Sequence, residues 1–325
     1  MKRRWLHRTA VLISLATLAI AFAHHDARSQ TARTIKFTVP SAPGGVNDIM
    51  ARLLGDQVAR TQNLTVVIDN RPGAGEMIGT EAAMRAAPDG NTVLFVANPF
   101  VINPHLRKTS YDPLASFEPI CLLTRAPTLI VVHASSPYRT LSDLLDDARK
   151  RPGEVTIASI GPGSPYHLGV EELRRAAKAD LVFVPYQGNA LAVNALLGQH
   201  VTAMFGTYSN VAQQLKAGTL RAIVAGKRSR IEPLLDLPTV AEQGFKDYDV
   251  DAWFGVLAPA KTPKDAVAQL AQWFTAAMQV PEAKEKLAAQ GLYPVGACGS
   301  DFATHLRRQF DDYGRVIREA NIKGE

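Results

Sequence analysis

Cysteine is scarce in this chain, and so are the arrangements that would give it chemistry. Cys121 and Cys298 are its two cysteines, too far apart in sequence for a metal or redox motif. In an oxidising compartment they pair if the fold brings them together, or otherwise stay as two buried thiols. The histidines His105, His133 and His200 lack metal-ligand spacing, so neither a metal nor a cofactor is expected. No serine sits in a Gly-x-Ser-x-Gly elbow, and no glycine turn ends in the Gly-Lys-Ser/Thr of a phosphate-binding loop. None matches a dinucleotide turn followed by a suitable acidic residue either. Aromatics are 7% of residues and are not interleaved with a Lys/Arg cluster, which removes nucleic acid as a partner. Internal repeats and low-complexity linkers are missing as well.

Long apolar runs are equally sparse. Lys2-Arg3-Arg4 and Arg8 precede one run from Ala10 to Ala23, and His24-His25-Asp26 ends it short of the roughly 20 residues that span a membrane. This is the pattern of a cleaved secretory signal. The leader is expected to occupy residues 1–29 at most, with cleavage after Ala23 or after Ser29, and Arg3-Arg4 leaves twin-arginine export open. Export from the cytosol follows. Taking Lys2, Arg3, Arg4 and Arg8 from the formal charge of +6 leaves +2, so the basic balance belongs largely to the leader.

What remains, 46% hydrophobic and 20% charged, is globular and long enough for two domains. Strand-like segments at Thr34–Pro40, Leu64–Asn70 and Asn91–Ala97 alternate with helical ones at Asp48–Arg60 and Met77–Ala87. The stretch from Asn98 to Pro119 reads as loose. Alternation resumes with strands at Thr128–His133, Val155–Ile160, Asp180–Val184, Val201–Phe205, Leu220–Ala225 and Phe254–Ala258, and the last third reads as helical. The fold class is α/β, with a mostly parallel sheet covered on both faces.

Three strand-to-helix turns stand out. The first is Pro40-Ser41-Ala42-Pro43-Gly44-Gly45, with Asn47 or Asp48 placed to cap the following helix. The second is Asn70-Arg71-Pro72-Gly73-Ala74-Gly75, and the third runs from Ser159 to His167. Each presents backbone N–H groups at a helix N-terminus, with hydroxyls at Ser41, Thr80, Ser159 and Ser164 beside them. One such turn usually just redirects the chain; three converging on a cleft would hold carboxylate oxygens without a charged side chain. Ser164 with His167 permits a hydrolase reading, although a histidine three residues into a helix more often packs or caps. Tyr186 and Trp253 read equally as core aromatics or pocket walls. Asp249, Asp251 and Glu242 read as solvated or hinge residues.

Taken in order, these blocks resemble the Bug-type periplasmic solute-binding receptors of tripartite tricarboxylate transporters. The likeness rests on Val39-Pro40 through Gly44-Gly45 to Asp48-Ile49-Met50-Ala51-Arg52. It continues in Asp69-Asn70-Arg71-Pro72-Gly73-Ala74-Gly75 with Ile78-Gly79-Thr80-Glu81, and in Gly161-Pro162-Gly163-Ser164 with His167-Leu168. Val184-Pro185-Tyr186-Gln187-Gly188, Leu237-Pro238-Thr239 and Trp253-Phe254-Gly255 complete it. The resemblance implies a type II periplasmic binding fold, two α/β lobes joined by two crossovers with a ligand cleft between them. Lobe 1 would be residues 30–128 plus 252–325, and lobe 2 residues 129–251.

It also implies a monomer that captures a small organic carboxylate, a di-/tricarboxylate or an aromatic one, for membrane transporter subunits. Such a protein has no catalytic residues; presentation of ligand to a membrane sensor is the remaining alternative to transport. Ligand-binding positions implied are Ser41, Ala42, Gly44, Gly45, Asp48, Gly73, Ala74, Gly75, Ser159, Gly163, Ser164, His167, Tyr186 and Gly206. Ser41 stands where relatives commonly carry an aromatic, and Gly206 where an aspartate is frequent. The first departure would widen one wall of the pocket; the second would remove an acceptor suited to an amino or hydroxyl group, which points away from amino acids and toward plain or aromatic carboxylates.

Overall fold

The computed structural model describes residues 33–161, 163–227, 230–231 and 234–324. The expected leader lies outside them. Ten strands follow in chain order: β1 (Thr34–Val39), β2 (Thr65–Asn70), β3 (Thr92–Ala97), β4 (Phe117–His133), β5 (Val155–Ile160), β6 (Leu181–Tyr186), β7 (Ala203–Thr207), β8 (Leu220–Ala225), β9 (Asp251–Pro259) and β10 (Tyr293–Cys298). The helices are α1 (Val46–Gln62), α2 (Met77–Met84), α3 (Pro99–Leu106), α4 (Leu141–Lys150), α5 (Pro165–Ala177), α6 (Asn189–Leu197), α7 (Tyr208–Lys216), α8 (Lys264–Gln279), α9 (Pro281–Ala289) and α10 (Ser300–Glu319).

Strand β4 organises the whole. Its first part, from Phe117 to Pro127, pairs antiparallel with β9 on one side and β10 on the other, in a sheet that continues through β3 and β1 to β2. Its last part, from Thr128 to His133, pairs antiparallel with β7 and β8 in a second sheet that continues to β5 and β6. One strand therefore runs through both lobes. The chain comes back beside it: Gly226 N–H donates to Thr128 O at 2.9 Å, Val250 N–H to Gly226 O at 2.7 Å, and the Thr128 hydroxyl to Val250 O.

Apolar spacing explains the helices. Met50, Leu54 and Val58 are all buried on the face of α1 that packs on the first sheet, four residues apart as a helical stripe requires. In that lobe Phe37, Phe95 and Phe274 meet with ring centroids 5.3 to 6.0 Å apart. In the second lobe Tyr166 of α5 meets Phe205 of β7 edge-on at 6.0 Å.

Three expectations need correction. The sheets are mixed rather than mostly parallel, because β4, β8, β9 and β10 run antiparallel to their neighbours as the chain leaves one lobe and returns. The stretch after Asn98 holds a helix, α3, which Pro99 opens at a position where a missing N–H costs nothing and which tolerates Pro104 inside it. The last third also contributes a strand, β10, and its Cys298 is bonded to Cys121 of β4 directly opposite.

Candidate functional site

The strand registers bring the helix-opening turns together. β1, β2 and β3 are parallel and end at Val39, Asn70 and Ala97. Ala97 lies opposite Phe254 of β9, and Trp253 opposite Arg125 of β4, so β4 leaves the first lobe at the same end. Across the crossing, Thr128 pairs with Thr207 at the end of β7, and β5 and β6 run parallel to β7 and end at Ile160 and Tyr186. The C-terminal ends of six strands thus face each other over one crossing. Ligands of open α/β sheets bind in such places.

The first turn is held by Asp48, which is buried. Its Oδ2 accepts from Gly44 N–H at 2.9 Å and Arg52 Nε at 3.0 Å, and its Oδ1 accepts from Asn70 Nδ2 at 2.9 Å. The Arg52 hydrogen bond, helped by Gly44 and Asn70, holds its carboxyl at about 2 despite burial. Asp48 therefore fastens the first turn to the end of β2, and it does not cap α1. That helix begins after Gly45, without a side-chain cap. Gly44 N–H is committed to Asp48, and Gly45 N–H to Ala42 O. The donors left are the first N–H groups of α1. Two buried oxygens, Ser41 Oγ and Asn47 Oδ1, find no hydrogen-bond partner among the described residues.

The second turn carries four successive residues with positive φ: Gly73 (125°), Ala74 (48°), Gly75 (62°) and Glu76 (78°). Asn103 of α3 donates Nδ2 to Gly75 O at 2.7 Å, and Arg107 Nη1 lies 3.5 Å from where a Gly75 Cβ would stand. Gly79 closes the gap between the turns, since a Cβ there would stand 2.7 Å from Pro40 Cα.

In the third turn Ser164 caps α5, accepting from His167 N–H at 3.2 Å and donating to Ile160 O at 2.6 Å. The His167 ring accepts from Gly163 N–H through Nδ1 at 3.1 Å and stacks on Phe183 at 4.1 Å. Burial, then the charge of Arg174, lowers its pKa to about 4, so it is neutral near pH 7. Neither ring nitrogen engages the serine hydroxyl, and the hydrolase arrangement is not formed. Ser159 is fully buried and donates to Phe205 O at 2.6 Å, and Thr80 donates to Glu76 O at 2.9 Å. Of the four hydroxyls expected at the turns, Ser41 alone remains uncommitted, because in the other three a nearby carbonyl takes the proton first.

Gly163 faces lobe 1: a Cβ there would meet Leu106 Cδ1. Tyr186 is half-buried at the end of β6, whereas Trp253 is core and donates Nε1 to Gln309. Gly206 is buried, with Asn189 Oδ1 and Asn210 Oδ1 3.9 and 3.6 Å from a Cβ built on it. Asp251, read as a solvated or hinge residue, is buried and not solvated: it lies at the crossing against Arg125 Nη1 at 3.1 Å, and burial pushes its carboxyl up to about 6. Asn47, Asn103, Arg107 and Asn189 were not anticipated. Asn47, two residues past Gly-Gly, was available only as a cap, while Asn103 and Arg107 belong to the proline-bearing segment that hid α3.

The sequence profile of the tripartite tricarboxylate transporter family receptor matches residues 50–322. The chain belongs to this receptor family. The receptor is similar to the solved periplasmic binding protein BugD, at 32% identity and a TM-score of 0.72 over 90% of this chain and 99% of that one. It is also similar to Rpa4515 of R. palustris, solved with adipate, at 28% identity and a TM-score of 0.75 over 92% and 100% of the two chains. A third likeness is MatC of Rhodopseudomonas palustris, solved with malate, at 28% identity and a TM-score of 0.69 over 88% and 99%. The receptor fold is thus the two-lobe periplasmic binding fold. Among the described residues no helix is long and apolar enough to cross a membrane.

Proposed function

We propose that this receptor captures a small organic carboxylate in the periplasm and presents it, as a monomer without catalysis of its own, to membrane transporter subunits. The observation that carries this reading is the convergence of helix-opening turns from both sheets on the β4 crossing. Helix N-termini and glycine backbone suit an anion bound reversibly through neutral donors. The adipate and malate held by Rpa4515 and MatC belong to the same chemical class. The lobes are residues 30–128 with 252–325, and 129–251, a division supported by the change of β4's partners one residue earlier, between Pro127 and Thr128. In the first turn, Ser41 Oγ and the opening N–H groups of α1 make the polar contacts; Ala42, Gly44, Gly45 and Asp48 shape it. Gly73, Ala74 and Gly75 form the second wall. Gly163, Tyr186 and Gly206 face them from lobe 2, with Ser159, Ser164 and His167 holding that wall in place.

A thermal-shift screen of the mature protein against malate, adipate, citrate, benzoate and aspartate tests the reading. A ligand at about 100 times its dissociation constant adds roughly 2.7 kcal/mol to folding stability and raises Tm. A carboxylate lacking an amino group is expected to give the largest shift. No shift with any carboxylate, or turnover of an ester or amide that His167→Ala abolishes, would overturn it.

A further inference from the structure

We propose that Arg107 is the specificity residue of this cleft, a fixed positive charge that selects ligands bearing a second carboxylate. This rests on the carboxylate reading above. Arg107 follows the last residue of α3, and its neighbours fix where it stands: Asn103, one turn back, holds Gly75 O, and Leu106 reaches the third turn at Gly163. The guanidinium therefore lies where the second and third turns approach each other, with Nη1 beside Gly75.

The lack of a carboxylate partner sets it apart from the other arginines near the cleft. Arg52 is paired with Asp48, and Arg174 with Glu171 at 2.8 Å. No carboxylate among the described residues lies within ion-pair distance of Arg107, and its Nε is buried without a hydrogen-bond partner. A partly buried guanidinium left in this state favours an anion from outside the chain. The nearest acid on the turn is half-buried Glu76, whose carboxyl is pushed up to about 8 by burial and so carries little charge near pH 7. The helix N-termini take one carboxylate through neutral donors, and Arg107 takes the other through its fork of N–H groups.

Isothermal titration of the wild type, Arg107→Gln and Arg107→Lys with matched pairs tests this: adipate and hexanoate, succinate and butyrate, phthalate and benzoate. Each pair keeps one carboxylate and removes the second. The wild type is expected to prefer the dicarboxylate of its best pair. Arg107→Gln should lose at least tenfold for that dicarboxylate and less than threefold for the matched monocarboxylate, with an unchanged Tm. Arg107→Lys should recover part of the loss. Equal losses on both members of a pair would make Arg107 a merely structural end to α3, and undiminished dicarboxylate affinity in Arg107→Gln would remove it from the site; either overturns the inference. Wild-type preference for the monocarboxylate also overturns it while leaving the carboxylate reading intact. Absence of binding to every member would defeat that reading first.

Discussion

At the scale of single residues, the site is built mostly by groups that serve it from behind. Asp48 binds Gly44, Arg52 and Asn70, and His167 binds Gly163, so each fixes a turn by accepting a backbone N–H. Such roles are hard to read in a sequence, because a conspicuous acid or histidine looks the same whether it touches ligand or loop. His167 also makes the third turn sensitive to acid. Its pKa is depressed from 6.5 to about 4, so the unfolded chain binds the proton that the folded one refuses. The stability it contributes is present above pH 6.5 and is lost as pH falls toward 4, by about 2 kcal/mol at pH 5. His305, lowered to about 3 by burial, adds in the same direction. Urea titrations of the wild type should show stability falling between pH 7 and pH 5, with a shallower fall in His167→Asn, whose amide oxygen can still accept from Gly163. An equal slope in both proteins would assign the acid sensitivity elsewhere.

Among elements, the glycine turns were the most legible feature, since Gly73 and Gly75 supply positive φ at no steric cost within the run that extends to Glu76. The alternating strands and helices were legible too, through period and turn chemistry. What escaped was α3, where Pro99 and Pro104 imitate a loop, and β10, where Pro294 and Gly296 break the strand signal. With α3 went Asn103 and Arg107, so the omission of one helix hid two residues that lie against the second turn. Gly79 illustrates the reverse case, a residue legible as motif whose reason is packing. A methyl group there would meet Pro40 Cα at 2.7 Å and Arg71 O at 2.9 Å, backbone that cannot swing aside. Gly79→Ala is expected to cost 1–3 kcal/mol, roughly the range for overpacking. It should also weaken carboxylate binding by parting the first two turns. Denaturant midpoints and calorimetric affinities measure the two effects, and unchanged values for both would show that the turns can shift without consequence.

For the molecule as a whole, ion pairs tie the two lobes together, and a disulfide ties the two chain segments of the first lobe to each other. Ion pairs bridge α10 and the second lobe: Arg315 with Glu172 at 3.2 Å, Arg308 with Asp249 at 3.4 Å, and Arg175 with Glu319. All are partly exposed, so salt should weaken them. The covalent tie is different, because Cys121 lies on β4 before the chain enters lobe 2 and Cys298 on β10 after it has come back. Bonding them closes a loop spanning 177 residues, which on chain-entropy grounds stabilises the fold by about 5 kcal/mol at most. Cys298→Ser should lower stability by an amount in the roughly 2–5 kcal/mol range, read from denaturant midpoints, and the same loss should follow reduction of the wild type. No change would mean that the surrounding sheet fixes these strands unaided.

The bond also decides how the receptor comes apart. All of lobe 2 lies within the segment that the two sulfurs enclose, so a protease that cuts any one of its surface loops opens a ring instead of releasing a fragment. The nicked chain stays one covalent body on a non-reducing gel, and its two pieces separate only when a reductant is added.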